Sequence, residues 1–298
     1  FANASQANRT VMADKHIQQA MPLKNPDKRL VKTPEVGKAI ADDLDVKSPV
    51  DGEVQKIDDS YIHVKDKDGK VHKQEYLRNF PLASKTLLDN QIEVDEGQKV
   101  NKDDILARSN FTKDGDLAIG KNLKTAYMPY EGFNHEDGVV VSESAANKLT
   151  SQHSDRITVN LDKTTTLDKD KYTQTFPTNF SQDQLNKLDE DGVAKEGVTL
   201  EYGDPIVLVL EENSQSRVNQ VLGKLHKSLV QPYRDAAVTH DDKHPAEVLE
   251  SRKSATVVSV LIKTDKPLEM GDKITGTYGN KGVVTKVEED DNMPQDED

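Results

Sequence analysis

The chain has no cysteine, which excludes disulfides and any zinc site built on thiolates. No apolar run approaches the roughly 18 residues of a membrane span. The first residues, Phe1-Ala-Asn-Ala-Ser5, lack a basic and apolar leader, so no signal peptide is expected. An initiator methionine is also missing, and the chain is expected to begin inside a longer protein. Apolar residues are scarce: 34% hydrophobic against 31% charged. At 298 residues the chain has length for two or three domains. That poverty points to small barrels and long loops, or to a piece that buries surface only in a larger assembly.

The net charge of −13 argues against a free nucleic-acid binder. It is uneven, however. Residues 288–298 hold seven acids and no base, leaving −6 for the rest. A phosphate site in a cleft needs local positive charge, not a positive total.

The most informative stretch is Lys273-Ile-Thr-Gly-Thr-Tyr-Gly-Asn-Lys281, preceded by Gly271-Asp272 and followed by Gly282-Val-Val284. Two lysines flank a glycine-rich turn without acids. Glycine permits close backbone approach to a ligand, and a lysine ammonium reaches phosphate oxygens on a long stem. With the apolar run 257–262 before it, the stretch reads as a phosphate-reaching loop between two strands. A surface hairpin with two solvated lysines would look the same. The spacing fits neither a Walker A loop nor a dinucleotide fingerprint.

An internal near-repeat supplies the best fold signal. Gly97-Gln-Lys-Val-Asn-Lys-Asp-Asp104-Ile105 returns as Gly197-Val-Thr-Leu-Glu-Tyr-Gly-Asp204-Pro-Ile206, and in part as Leu268-Glu-Met-Gly-Asp272-Lys-Ile274. Each copy is turn chemistry between two strands, and the recurrence suggests small β-barrels built from similar hairpins. Alternation over 48–57 and 61–64, with turns at 58–60 and 65–70, adds short strands. Helices are expected at 37–44 and 184–193 (ended by Gly192), at 216–230, and as a short amphipathic face around Val11, Met12, Lys15 and His16. A strand is expected over 156–161. His226, His240 and His244 have no zinc spacing and read as solvated loop histidines.

Several motifs, in order, resemble the β subunit of multisubunit DNA-directed RNA polymerases. The lysine loop resembles its G-D-K … G-N/Q-K-G element, and Asn292-Met-Pro294 the D-M-P that follows. Ala7, Asn8, Arg9, Met12, Gln19, Ala20 and Pro22 match a second segment, with Lys15 where the family usually has Asn. Met128-Pro129, Glu131-Gly132, Asn134, Glu136-Asp137 and Ser142-Glu143 match a third without gaps.

The resemblance implies a mainly β fold with some α. It would be half of a double-psi β-barrel, with a barrel-sandwich-hybrid (lipoyl-like) insertion and a flap-like domain. The expected segments are 1–47 (active-centre barrel segment with a short helix), 48–108 (insertion), 109–150 (double-psi barrel), 151–255 (flap-like), 256–287 (lysine loop) and 288–298 (acidic tail). The activity implied is template-directed nucleotidyl transfer. Lys273, Lys281, Glu136 and Asp137 would be catalytic; Arg9, Gln19 and Asn280 would contact nucleic acid or NTP. Asp137 would act on a second Mg²⁺, through water.

The principal magnesium ligands belong to a β′-type partner with an N-A-D-F-D-G-D loop, which this chain lacks. Asp114-Gly-Asp116 falls where the family has a plain turn, and Asp66-Lys-Asp68-Gly69 is too short for a calcium loop. The other expected partners are further β portions, template DNA, RNA, NTPs and an initiation factor at the flap, in a bacterial or phage-infected cytoplasm and not at a membrane. Either the subunit is encoded in pieces or this is a fragment of one; the lack of cysteine and a compact flap favour an unusual, phage-like source. Thr277 and Tyr278 replace an Arg-His pair of the family, so one phosphate contact is missing or comes from another chain. Taken as an adjacent pair on a strand, Glu136 and Asp137 would face opposite ways.

Two other readings stay open: a non-catalytic β-barrel binding module, and a lipoyl- or biotinyl-carrier-like domain. The carrier reading calls for a modified lysine near residue 70, yet no Met-Lys-Met turn lies between residues 57 and 97.

Overall fold

The computed structural model describes residues 4–213 and 232–295. The helix expected at 216–230 and His226 lie outside them. From the N-terminus the elements are α1 (Ala4–Gln18), α2 (Pro34–Leu44), β1 (Val46–Lys47), β2 (Gly52–Ile57), β3 (Tyr61–Asp66), β4 (Val71–Glu75), β5 (Phe80–Pro81), β6 (Leu87–Leu88), β7 (Asn90–Ile92), β8 (Lys99–Val100) and β9 (Ile105–Ser109). Next come β10 (Thr112–Lys113), β11 (Asp116–Leu117), β12 (Gly138–Ser142), α3 (Glu143–Lys148), β13 (Ser151–Asn160), β14 (Thr165–Thr166), α4 (Lys169–Thr175), α5 (Gln182–Asn186), β15 (Thr199–Leu200), β16 (Pro205–Val207) and β17 (Leu210–Glu212). The last are β18 (Tyr233–Asp235), β19 (Val238–Thr239), β20 (Ala246–Lys253), β21 (Val257–Lys266), β22 (Lys273–Thr275) and β23 (Lys281–Glu288). The fold is mainly β with few helices, and among the described residues no helix is long and apolar enough to cross a membrane.

Two compact units divide the chain: residues 1–153 with 266–298, and residues 154–265. In the first, β4-β3-β2-β8 and β1-β9-β7 form two antiparallel sheets. Side chains from both meet in one core of Val54, Ile62, Val64, Val100, Leu106 and Ala107. A second set, β12-β23-β22, pairs β12 parallel with β23 and β22 antiparallel with it. Helix α2 starts at Pro34, three residues before the expected Gly37, because proline suits the first helical turn. Gly37 is buried: Asp116 Oδ1 lies 2.1 Å from where a β-carbon would stand.

In the second unit β13-β21-β20-β15 form one sheet, with β14-β17-β18 and β16-β19 beside it. Its core runs through Ile206, Val207, Leu208, Val209 and Leu210 without a break, and adds Leu200, Val248, Val258 and Val260. Tyr172 closes one end: its hydroxyl donates to Asp235 at 2.7 Å and its ring packs on Phe176 and Phe180. Burial, then the neighbouring Asp235 carboxylate, push the phenol well above its ordinary range.

The helix expected over 184–193 is shorter and earlier. It is α5, opened by a capping box of Ser181 and Gln184 and ended at Asn186. Gly192 instead serves a turn in which Asp189 N–H donates to Val193 C=O and Leu188 bridges to Ala194. The strand expected at 156–161 is longer, beginning at Ser151. The strand expected before the lysine loop, β21, pairs along β20 within the second unit's sheet.

The near-repeat is a repeated structure. In each copy the aspartate carboxylate accepts the N–H three residues back: Asn101 to Asp104 at 2.7 Å, Glu201 to Asp204 at 2.8 Å, Glu269 to Asp272 at 2.9 Å. The residue before the aspartate is left-handed, at φ 70° for Asp103, 83° for Gly203 and 95° for Gly271. Its N–H then donates to the carbonyl of a residue in or just after a strand, whose own N–H returns to the aspartate carbonyl. That residue is Ser48, His240 and Val284 in turn, all bonds lying between 2.7 and 2.9 Å. His240 is therefore not a solvated histidine. It is 3% exposed, with Nε2 at 2.8 Å from the His244 carbonyl.

Candidate functional site

Strand register decides where the two lysines go. Lys273 pairs with Val283 and Thr275 with Lys281, and cross-strand partners share a face. Lys273 and Lys281 therefore project from one face of the β22–β23 hairpin, as diagonal neighbours. The other face carries Ile274 and Val284 into a small core with Val139, Val141 and Ala146. Both lysines are exposed.

Between them the turn is tied down from outside. Arg9, on α1, donates from Nη1 to the Gly279 carbonyl at 3.0 Å. Gly279 has φ 89°, and a β-carbon there would stand 2.5 Å from the Arg9 carbonyl oxygen, so only glycine suits the contact. The Tyr278 hydroxyl donates to the Val31 carbonyl at 2.9 Å. Tyr278 thus supplies an anchor, which the sequence reading missed. The usable signal was a tyrosine inside a glycine turn, a side chain long enough to reach a neighbouring segment.

The segment with Glu136 and Asp137 lies against β23. Val283 N–H donates to the Asp137 carbonyl at 2.9 Å, and Thr285 Oγ1 to the Phe133 carbonyl at 2.5 Å. Tyr130 donates to Glu288 at 3.3 Å. Lys286, which pairs with Glu288, sits 4.8 Å from the Phe133 ring centre. The hydrogen bond from Lys286, then one from Asn292, hold the Glu288 carboxyl below its ordinary range. Glu288 is thus the buried end of β23 and not the start of a free acidic tail. Asp290 also has a partner, accepting Ser144 N–H at 3.0 Å.

Glu136 and Asp137 are not on a strand. They lie in the turn before β12, and Glu136 has φ 54°. A left-handed residue breaks the alternation that a strand would impose, so both side chains are exposed. Gly282 explains the close fit beside them: a β-carbon there would stand 2.8 Å from the Asp137 carbonyl.

An open cleft of about 1420 Å³ is lined by residues 123–128, by Glu136 and Asp137, by Asn280, Lys281 and Gly282, and by Met293 and Pro294. Four of the seven expected site residues thus share one cleft. Lys273 reaches the same hairpin face by register, and Arg9 joins through Gly279. Gln19 stands just past the end of α1, exposed, and does not line the cleft. The Asn280 carbonyl closes the turn by accepting Gly276 N–H at 3.0 Å. Asp114-Gly-Asp116 is a turn between β10 and β11, with Asp116 paired to Lys32.

The chain matches the model of a known family, RNA polymerase Rpb2, domain 6, over residues 48–298. Curated relatives described as DNA-directed RNA polymerase subunit beta align along 99% of this chain. They include proteins of Synechococcus elongatus (29% identical), Trichodesmium erythraeum (28%) and Gloeobacter violaceus (28%). The chain spans 28% of the length of each. The family match takes in the third motif, the cleft and the lysine hairpin, and this chain belongs to the RNA polymerase Rpb2 domain 6 family.

Proposed function

We propose that the chain is the portion of an RNA polymerase β subunit that brings basic and acidic side chains to the active centre for template-directed nucleotidyl transfer. The observation that carries this reading is the hairpin register. It sets Lys273 and Lys281 on one face, with the tip held by Arg9 and with Glu136 and Asp137 beside the neighbouring strand. In the reaction an RNA 3′ hydroxyl attacks the α-phosphorus of an NTP. A P–O bond to the RNA forms, the α–β bond breaks and pyrophosphate leaves. No protein nucleophile is needed. Lys273 and Lys281 bind the phosphates and stabilise charge that grows on their oxygens in the transition state. Arg9 and Gln19 orient the RNA end, and Asn280 contacts the nucleotide or its backbone.

Magnesium belongs to the proposal. Among the described residues no group of three or more His, Cys, Asp or Glu is arranged to hold a metal. Glu136 and Asp137 are exposed on the cleft, which suits an ion that keeps most of its waters and takes one or two carboxylates. Asp137 would hold it through water, with the principal ligands on a β′-type partner. When bound, the ion neutralises triphosphate charge. The other expected partners are the remaining β portions, template DNA, RNA, NTPs and an initiation factor at residues 151–255, in the cytoplasm of a bacterium or phage-infected cell.

The test is primer extension by the assembled complex. Lys273→Ala and Lys281→Ala should each slow nucleotide addition by about 10²-fold, the scale for losing one charge-stabilising donor. Unchanged rates in both variants, with the complex intact, would refute the reading.

A further inference from the structure

The loop that brings Glu136 and Asp137 to the cleft has no regular structure of its own. Residues 128–137 form neither helix nor strand, and Phe133, His135, Glu136 and Asp137 are exposed. Glu131, Gly132 and Glu136 are left-handed, at φ 49°, 82° and 54°. Asn134 closes the loop on itself: its Oδ1 accepts Tyr130 N–H at 2.9 Å and its Nδ2 donates to the Met128 carbonyl at 2.5 Å. Closure fixes the shape of the loop. It does not fix where the loop stands on the sheet.

Strand β23 does that, through a slip in its register. Val139 pairs with Val284 but Val140 with Lys286, which leaves Thr285 as an extra residue. A bulge re-aims the side chains that follow it. Val284 and Val287 therefore both pack in the core under the sheet, although plain alternation would send residues three apart to opposite faces. Thr285, Lys286 and Glu288 are left for the loop. Thr285 Oγ1 donates to the Phe133 carbonyl at 2.5 Å, the Lys286 ammonium stands 4.8 Å from the Phe133 ring centre, and Glu288 accepts the Tyr130 hydroxyl at 3.3 Å.

Glu288 gathers most of these contacts. It is 9% exposed, and its carboxylate also takes Lys286 and, at 3.3 Å, Asn292 Nδ2. The Asn292 carbonyl stands 3.2 Å from the same tyrosine hydroxyl. Tyr130 lines the cleft, as do Met293 and Pro294 next to Asn292. Burial, then the Glu288 carboxylate, push the Tyr130 phenol up, which keeps its hydroxyl a donor. An ion pair withdrawn from water adds little net stability, because desolvation offsets the attraction. Hydrogen bonds, by contrast, set position and direction. The Lys286–Glu288 pair serves as a fixed acceptor for the tyrosine.

We propose that Glu288 is a positioning residue for nucleotide addition: through Tyr130 it sets the loop of residues 128–137 on β23, and so sets Glu136 and Asp137 at the cleft. Its part in the reaction rests on the reading of the cleft given above; its hold on the loop does not. The experiment uses the complex assembled with the full chain. Rates of nucleotide addition are measured against NTP concentration, and hydrogen exchange is followed at 130–138. Glu288→Ala should raise KM for NTP several-fold with a smaller change in kcat, since the displaced carboxylates act on bound triphosphate. Exchange should quicken at 130–138 and stay as in wild type across 154–265. Glu288→Gln keeps an acceptor for the hydroxyl and should return both readouts most of the way to wild type. Tyr130→Phe removes only the hydroxyl and should give the same signature, also where Glu288→Ala fails to assemble.

Quickened exchange with an unchanged KM would make the contact merely structural and overturn the positioning role. So would Glu288→Gln as impaired as Glu288→Ala, or exchange unchanged in both Glu288→Ala and Tyr130→Phe. Lys281→Ala and Lys273→Ala, measured alongside, separate the two levels. If they slow addition while Glu288→Ala leaves KM unchanged, only the positioning role falls; if neither changes the rate, both fall.

Discussion

The sheet beneath the lysines and the unit of residues 154–265 are built on different terms. Among the described residues the second unit buries sixteen side chains in one apolar cluster, including the unbroken run from Ile206 to Leu210. The cluster under the sheet β12-β23-β22 holds three buried residues: Val141 and Val284 from its strands and Ala146 from α3. Long-range polar contacts hold it instead, from Val283 to Asp137, Thr285 to Phe133, Tyr130 to Glu288, Ser144 to Asp290 and Arg9 to Gly279. Apolar burial is non-directional and fixes a fold without fixing a side chain to a fraction of an ångström. Hydrogen bonds and close backbone approach are directional. The region that carries the proposed site uses the second kind of glue. The two regions should therefore break in different ways.

The largest effect is expected from a cavity in the larger core. Leu208→Ala should cost about 2–5 kcal/mol. Hydrogen exchange should quicken across 154–265 while amides of β22 and β23 keep their protection. A loss below about 1 kcal/mol, or one spread evenly over both units, would contradict the contrast. Its counterpart is Gly282→Ala. The new methyl meets the Asp137 carbonyl and Val139 Cγ2, at 2.8 and 2.7 Å from the β-carbon position. Backbone must shift, at a cost of about 1–3 kcal/mol. The loss of protection should be confined to β12, β22 and β23, with nucleotide addition falling in step. Normal protection there would mean that close approach does not set this sheet.

The repeated turn offers a sharper comparison, because one motif sits in two settings. Asp204 is 4% exposed and faces Lys187 at 2.5 Å, whereas Asp272 is exposed. Asp204→Ala should cost about 1.5–3 kcal/mol, and Asp272→Ala about 0.5–1.5 kcal/mol. Burial alone would raise the Asp204 carboxyl, but hydrogen bonds from Lys187 and Glu201 outweigh it and leave it below its ordinary 3.8. A carboxylate lowered on folding stabilises fully above its unfolded value. That share is lost as pH falls below about 4, toward the folded value. Acid titration of the second unit should lose this component in Asp204→Asn. An unaltered acid limb would remove the ion pair from the account.

Local turn chemistry was the legible part of the sequence. The aspartate that caps its own turn recurs at 104, 204 and 272, and each turn formed as expected, since the N–H that its carboxylate accepts lies three residues back. The lysine hairpin was legible for the same reason. What failed depended on distant partners. His240 is buried because it completes the second copy of the turn, 36 residues from Asp204. Glu288 reads as one acid among seven until Lys286, Tyr130 and Asn292 surround it. The periodicity over 184–193 suggested a helix through Gly192. The bridge from Leu188 to Ala194 competes for those backbone groups, and α5 stops at Asn186. Glu136 and Asp137 were found as residues but put on a strand, because nothing in their side chains announces a left-handed backbone at Glu136.

The smallest effect is the most specific. Tyr278→Phe keeps the ring and removes only the hydroxyl that donates to Val31. The residue is 62% exposed, so water replaces much of what is lost, and the cost should lie near the low end of about 0.5–1.5 kcal/mol. Stability of the second unit should not move. The hairpin tip, though, is left with its Arg9 tether, and the lysines on its face lose part of their placement. Nucleotide addition should slow by less than about tenfold, the equivalent of 1.4 kcal/mol, with faster hydrogen exchange at 276–280. Tyr278→His keeps a ring donor on a shorter reach and should recover part of the rate. Equal rates in wild type and Tyr278→Phe, with faster exchange at the tip, would show that the chemistry tolerates a loose hairpin. The contrast between a directional site and a non-directional core would then hold for stability alone.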